Sequence, residues 1–273
     1  LTLTIIFLIT IISPILSQES LKMEVSLPKA TYLLDEPIAM GISIRNSGNS
    51  VSDTLGNYII FSELFDANGK KLQYTGPAGL PFFPTLKEIL QPGEDFYYII
   101  SVEYDFGKDR PHFANKYLLP GRYTMKLYLR PQKKIVDSTT ISFQVTEPSG
   151  EELNVHNEYI YAFTSTKSAE ECVQILRKLA DKYPNSCYLS RILDNLGDIV
   201  KYWLNDRSKA EKIEEELLEK CPGSIRAMNL INFKVIHMAT KEERLEFLKI
   251  QQNRSKNTLM QKKINNSIQA ESK

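Results

Sequence analysis

The chain has 273 residues, enough for two hydrophobic cores, and a formal charge of +1. That balance supplies no field suited to nucleic acid or to an acidic polymer. Three cysteines are too few for a small disulfide-built scaffold, and 42% hydrophobic with 25% charged residues is the composition of an ordinary globular protein.

The first 16 residues carry no charge, and Ile5-Ile6-Phe7-Leu8-Ile9 runs into Ile11-Ile12 before Pro14 and Ser17-Gln18. This reads as a secretory signal peptide over 1–18, cleaved after Ser17 or Gln18. The rival reading is a membrane anchor, but the run is shorter than the ~18 residues a span requires. The expected location is secreted, periplasmic or cell-envelope, with no stable transmembrane segment after cleavage.

From 19 to 147 the pattern is that of short strands. Leu21 to Leu27 alternates, and Pro28 breaks it. Asp35-Glu36-Pro37 turns the chain into a second alternating run, with Ile38, Met40, Ile42 and Ile44 on one face. Tyr58 to Phe65 is the next strand, followed by a tight Asn68-Gly69 turn. Asp95 to Val102 places Phe96, Tyr98 and Ile100 together. Pro120-Gly121 opens a strand with Met125, Leu127 and Leu129 on one face, and Ser138 to Val145 is its hairpin partner.

The stretch Gly76 to Pro84 is different: three prolines and two glycines surround Leu80, Phe82 and Phe83. It is either a loop packed over the end of the sheets or an exposed apolar contact loop. As the latter, Leu80, Phe82 and Phe83 are the expected partner contacts, with His112 on the neighbouring Asp105 to Asn115 loop.

Tyr32-(x)2-Asp35-Glu36-Pro37-Ile38, then Ile44-Arg45-Asn46, resembles the opening of bacterial immunoglobulin-like modules of the adhesion and proteinase-inhibitor types. Gln91-Pro92-Gly93-Glu94 and Pro120-Gly121-Arg122-Tyr123 resemble the two later Pro-Gly turns of such modules. The resemblance covers about 21 to 146 and implies an immunoglobulin-like β-sandwich.

A linker is expected over 148–154, and an antiparallel helical domain over 155–250. Ser168 followed by Glu171 has the form of a capping box. Leu189, Leu193, Leu196, Val200 and Trp203 or Leu204 form one apolar stripe, and further helices are expected over Ser208 to Lys220, Ser224 to Met238 and from Lys241 or Glu242 onward. Lys182-Tyr183-Pro184-Asn185-Ser186 and Lys220-Cys221-Pro222-Gly223-Ser224 echo one another 38 residues apart. This resembles tetratricopeptide-type repeats, and a non-repeating bundle fits the spacing equally. Residues 251–273 read as a polar tail, frayed or partner-binding, with Asn253 and Asn265 in glycosylation contexts.

The fold class expected is therefore all-β plus all-α: an immunoglobulin-like sandwich followed by a small tetratricopeptide-like helical domain. No catalytic, cofactor-binding or metal-binding set is selected. His112, His156 and His237 are isolated from one another, and no Cys-x-x-Cys or phosphate loop occurs. In an exported protein Cys187 and Cys221 are candidates for a disulfide, leaving Cys172 free. The expected function is non-enzymatic binding or scaffolding, with a protein or glycan partner. The alternatives are a proteinase inhibitor acting through a sandwich loop, or a hydrolase of unrecognised type.

Overall fold

The computed structural model describes residues 21–52, 60–73, 89–102, 106, 108–109, 116–129, 135–256 and 258–272. A β-sheet region comes first and a helical region follows. One sheet has the order β1-β3-β5, with β1 (Leu21–Ser26), β3 (Ala39–Asn46) and β5 (Asp95–Ser101) antiparallel. The other has the order β2-β9-β8-β4. In it β2 (Thr31–Leu33) runs parallel to β9 (Asp137–Thr146), while β8 (Gly121–Leu129) is antiparallel to both β9 and β4 (Ile60–Asp66). A short ribbon joins β6 (Lys108–Asp109) to β7 (Lys116–Tyr117).

Alternation explains the core between the sheets. Met40, Ile42 and Ile44 of β3 meet Met125, Leu127 and Leu129 of β8 in one buried cluster. The Asn68-Gly69 turn forms as its residues demand: Gly69 has φ +75°, and Asp66 Oδ1 accepts from the amides of Asn68 and Lys70. The expected β8–β9 hairpin is present, from Gly121↔Val145 to Leu129↔Asp137.

Seven α-helices follow among the described residues: α1 (Gly150–Thr164), α2 (Ala169–Lys182), α3 (Leu189–Asp198), α4 (Arg207–Lys220), α5 (Ile225–His237), α6 (Lys241–Arg254) and α7 (Leu259–Ser272). Helix α1 begins inside the stretch expected to be a linker. Ser168 caps α2 by accepting from the Glu171 amide, but Glu171 reaches back to the Lys167 amide. The complete capping box lies instead at Thr240–Glu243 on α6. The two echo turns have one geometry: Ser186 N–H donates to the Tyr183 carbonyl at 3.2 Å, and Ser224 N–H to the Cys221 carbonyl at 3.0 Å.

One sequence expectation is corrected here and one open alternative is decided. Residues 259–272 are not a frayed tail. Met260 and Ile264, four residues apart, bury one stripe of α7, and a polar count over the segment conceals it. They join Met228 of α5 and Leu248 of α6 against Tyr97 and Ile99, on the face of β5 turned away from the sandwich core. Of the two residues offered for the end of the α3 stripe, Leu204 takes the place and Trp203 does not. Helix α3 continues into a π-turn, Ile199–Trp203, closed by Leu204 N–H on the Ile199 carbonyl at 3.1 Å. The extra residue per turn sends Leu204 inward to pack and Trp203 outward.

Candidate functional site

The expected contact residues Leu80, Phe82, Phe83 and His112 lie outside the described residues, as does the 1–18 segment. Cys172, Cys187 and Cys221 are free thiols, so the bond expected between Cys187 and Cys221 is not formed. Cys187 instead sits on Glu152: its amide donates to Oε1 at 3.1 Å and its Sγ lies 3.6 Å from Oε2, which also accepts from Ser186 Oγ at 2.7 Å. Burial pushes the Cys172 thiol up to about 11 and the Cys221 thiol up to about 12. Burial, then the Glu36 and Glu152 carboxylates, push Cys187 up as well. Thiols so protonated are poor nucleophiles.

Glu63 on β4 is engaged by Lys71 at 2.5 Å and by the Tyr128 hydroxyl at 3.0 Å. Among the described residues no group of three or more His, Cys, Asp or Glu side chains could hold a metal ion.

Three features outside those expectations stand out. The first joins the two regions. The Leu33–Glu36 corner after β2 projects onto α1 and α3, with Asp35 at φ +69°. Asp35 Oδ2 accepts from His156 Nε2–H at 2.7 Å, and Arg191 Nη1 lies 3.8 Å from Oδ1. Tyr188 Oη donates to the Leu34 carbonyl at 2.7 Å. All of these side chains are buried, so this cluster serves assembly and presents nothing to solvent.

The second is an exposed apolar face. Tyr202 and Trp203, at the end of the π-turn, are 70% and 77% exposed, and Ile236 on α5 is 71% exposed. Phe233 lies one helical turn before Ile236. Lys201 Nζ sits between the Tyr202 ring (5.5 Å) and the Phe233 ring (5.4 Å), so the π-turn and α5 share this face. Glu214 beneath it holds Lys201 at 3.1 Å and Lys234 at 2.8 Å. The sequence signal was available in Phe233 and Ile236, which fall off the buried stripe of α5. Trp203 carried no such signal, because only the π-turn turns it outward.

The third is a groove of about 620 Å³ between α2 and α4, lined by Arg177, Lys178, Asp181, Lys182 and Lys209 among others. A deeper lobe of about 210 Å³ continues it down to Leu196 of α3. Arg177 spans the groove as a bidentate pair with Glu216 (2.6 and 2.8 Å) and bonds Asp181 at 2.7 Å. The guanidinium of Arg177, and then Lys220, hold the Glu216 carboxyl down to about 2 from its ordinary 4.5. A depressed carboxylate stabilises the fold above pH 4.5, and that contribution is lost as pH falls through about 2. Glu216→Gln is therefore expected to be less stable than wild type at pH 7 and to converge with it toward pH 2, as followed by thermal unfolding across that range. A constant difference down to pH 2 would place the loss in packing instead.

No protein-family model matches the chain, and no curated protein does. Among solved structures, the CARDB domain of the PF1109 protein from Pyrococcus furiosus aligns over 48% of this chain and 97% of its own, at 11% identity and TM-score 0.30. The β-glucosidase EmGH1 from Erythrobacter marinus aligns over 47% of this chain at 16% identity, and a β-glucosidase from Listeria innocua over 46% at 16% identity, both at TM-score 0.30. The aligned part spans 16% of the length of each glucosidase. Likeness at this level carries nothing about activity.

Proposed function

We propose that this protein is an exported, non-catalytic binding module that holds a protein partner on the Tyr202–Trp203–Phe233–Ile236 face. The observation that carries the reading is the placement of the chain's one tryptophan, 77% exposed beside Tyr202 and close to a second helix bearing Phe233 and Ile236. Exposed apolar clusters of this kind mark contact surfaces, and Trp and Tyr supply much of the energy once a partner buries them. The aliphatic Ile236 fits a protein surface better than a sugar ring. The apolar 1–18 segment supports export. No helix among the described residues is long and apolar enough to cross a membrane.

Within this reading the sheet region is an immunoglobulin-like sandwich. The parallel β2–β9 pair and the facing β1-β3-β5 sheet suit that topology. So does Tyr123 at the start of β8, whose hydroxyl donates to the Leu119 carbonyl at 2.6 Å in the manner of a tyrosine corner. The two matched turns after α2 and α4 support a repeat origin for the helices.

The test uses residues 19–273 and the source organism's envelope and secreted fractions. A Tyr202→Ser/Trp203→Ser variant is expected to lose a captured protein by about 30-fold or more, corresponding to a hot-spot loss of ~2 kcal/mol or greater. Its thermal midpoint stays near wild type, because both side chains are exposed. Trp203 also reports directly: its emission shifts blue when the purified partner is added. Unchanged capture by this variant, with loss on Phe82→Ser/Phe83→Ser, would move the contact surface to the Gly76 to Pro84 loop.

A further inference from the structure

We propose that the groove between α2 and α4 is a second binding site, which takes an acidic peptide segment carrying an aliphatic side chain between its carboxylates. It is separate from the aromatic face and does not depend on it.

The charge of the groove is uneven in a specific way. Gln174, Arg177, Lys178, Asp181 and Lys182 recur at helical spacing, so they form one face of α2. Lys209, Lys212 and Glu216 do the same on α4. The two carboxylates, Asp181 and Glu216, are both engaged by Arg177, and Glu216 also by Lys220 at 2.7 Å. That leaves Lys178, Lys209 and Lys212, since Lys182 lies over the Tyr183 ring, 4.7 Å from its centroid, in the field of Glu158 and Glu151. Among the described residues these three make no ion pair with a carboxylate. The acids have been neutralised internally while the lysines have not, so the groove is complementary to added negative charge.

The floor decides which kind of anion fits. Between the lysines the groove reaches down to Val173, Leu196 and Ile213, three largely buried aliphatic side chains from three different helices. Among the described residues no aromatic ring lines either lobe. Single-stranded nucleic acid is held by aromatic stacking platforms together with many phosphate contacts, and three lysines over an aliphatic floor provide neither. A peptide with carboxylates flanking a Leu, Ile or Met satisfies both parts of the groove. A volume of about 620 Å³, widely open to solvent, accommodates a few side chains of a peptide laid along it. The Arg177–Glu216 pair spans the gap between the two helices and holds its width, so the site is formed before any ligand arrives.

The test is fluorescence anisotropy on residues 19–273 with four labelled probes. They are a ten-residue peptide alternating Glu and Leu, the same peptide with Gln for Glu, the same with Ser for Leu, and oligothymidylate. The Glu-Leu peptide is expected to bind with an affinity that falls as salt rises. Both substituted peptides and oligothymidylate are expected to bind at least tenfold more weakly. A Lys178→Glu/Lys209→Glu variant, altered only at surface lysines, is expected to lose at least tenfold in affinity while unfolding at the wild-type temperature. Lys212→Gln, a milder change on the α4 wall, provides a second measurement should the reversal variant fail to fold, and is expected to weaken binding several-fold. Failure of the Glu-Leu peptide to bind would overturn the proposal. So would equal binding of the Glu-Ser peptide or of oligothymidylate, or full affinity in the lysine variants.

Discussion

Asp35→Ala is expected to destabilise the protein by about 3–5 kcal/mol, the range for removing one partner from a buried ion pair. Asp35 and Arg191 each leave only 2% of their side chain exposed. Removing the carboxylate leaves a guanidinium in a low-dielectric site beside an imidazole that has lost its 2.7 Å acceptor. The damage falls on the junction of the two regions, since Asp35 comes from the corner after β2 while His156 and Arg191 come from α1 and α3. Asp35→Asn separates charge from shape. It retains the side-chain volume and an oxygen for His156, so a loss close to that of Asp35→Ala would identify the charge as the main contribution. Asp35→Gly provides the backbone control, because φ +69° is tolerated by Asp, costs Ala more and is easy for Gly. Urea unfolding followed by far-ultraviolet circular dichroism gives the values. A wild-type midpoint in Asp35→Ala would show that the cluster contributes nothing to stability.

Gly41→Val is the second large effect, and Gly41→Ala its milder form, at about 1–3 kcal/mol for overpacking. A Cβ on Gly41 would fall 1.9 Å from Tyr97 Oη, 2.8 Å from its Cζ and 2.9 Å from Ser26 Oγ. Tyr97 cannot swing aside cheaply. It is buried between β5 and the α5–α7 helices, with Lys262 Nζ of α7 4.9 Å from its ring centroid. Displacing it opens the contact that seats the last helices on the sheet. Limited proteolysis should therefore cut the variant within residues 255–272 well before wild type. Tyr97→Leu, introduced into Gly41→Ala, should recover part of the lost stability by freeing the space. Wild-type stability in Gly41→Ala alone would show that the tyrosine repositions without penalty.

Both effects lie at contacts that a reading along the chain does not reach. The strands were legible because each needs only its own alternation: Met125-x-Leu127-x-Leu129 is a strand wherever it packs. Helix boundaries at Ser168, Ser224 and Thr240 were legible for a similar reason, since a cap is satisfied within a few residues. Asp35-Glu36-Pro37 was legible as a turn, but not as the place where a buried carboxylate meets His156 and Arg191, more than a hundred residues away. Cys187 and Cys221 matched as a pair on paper. In the structure Cys187 is occupied by Glu152, and no bond is made.

The sequence by itself determined the order of the two regions, the faces of β3 and β8, and the matched turns at Tyr183 and Cys221. All of these rest on local period and on turn chemistry. Tertiary structure alone decided that α7 is a helix seated on β5, that the π-turn drives Trp203 outward, and that lysines from α2 and α4 converge over an aliphatic floor. The physical reason is range. Hydrogen bonds within a helix or turn are specified by neighbours in the chain, whereas burial and charge complementarity depend on which distant surfaces meet. A segment as polar as 259–272 folds here because Tyr97 and Ile99 give its two-residue stripe somewhere to bury.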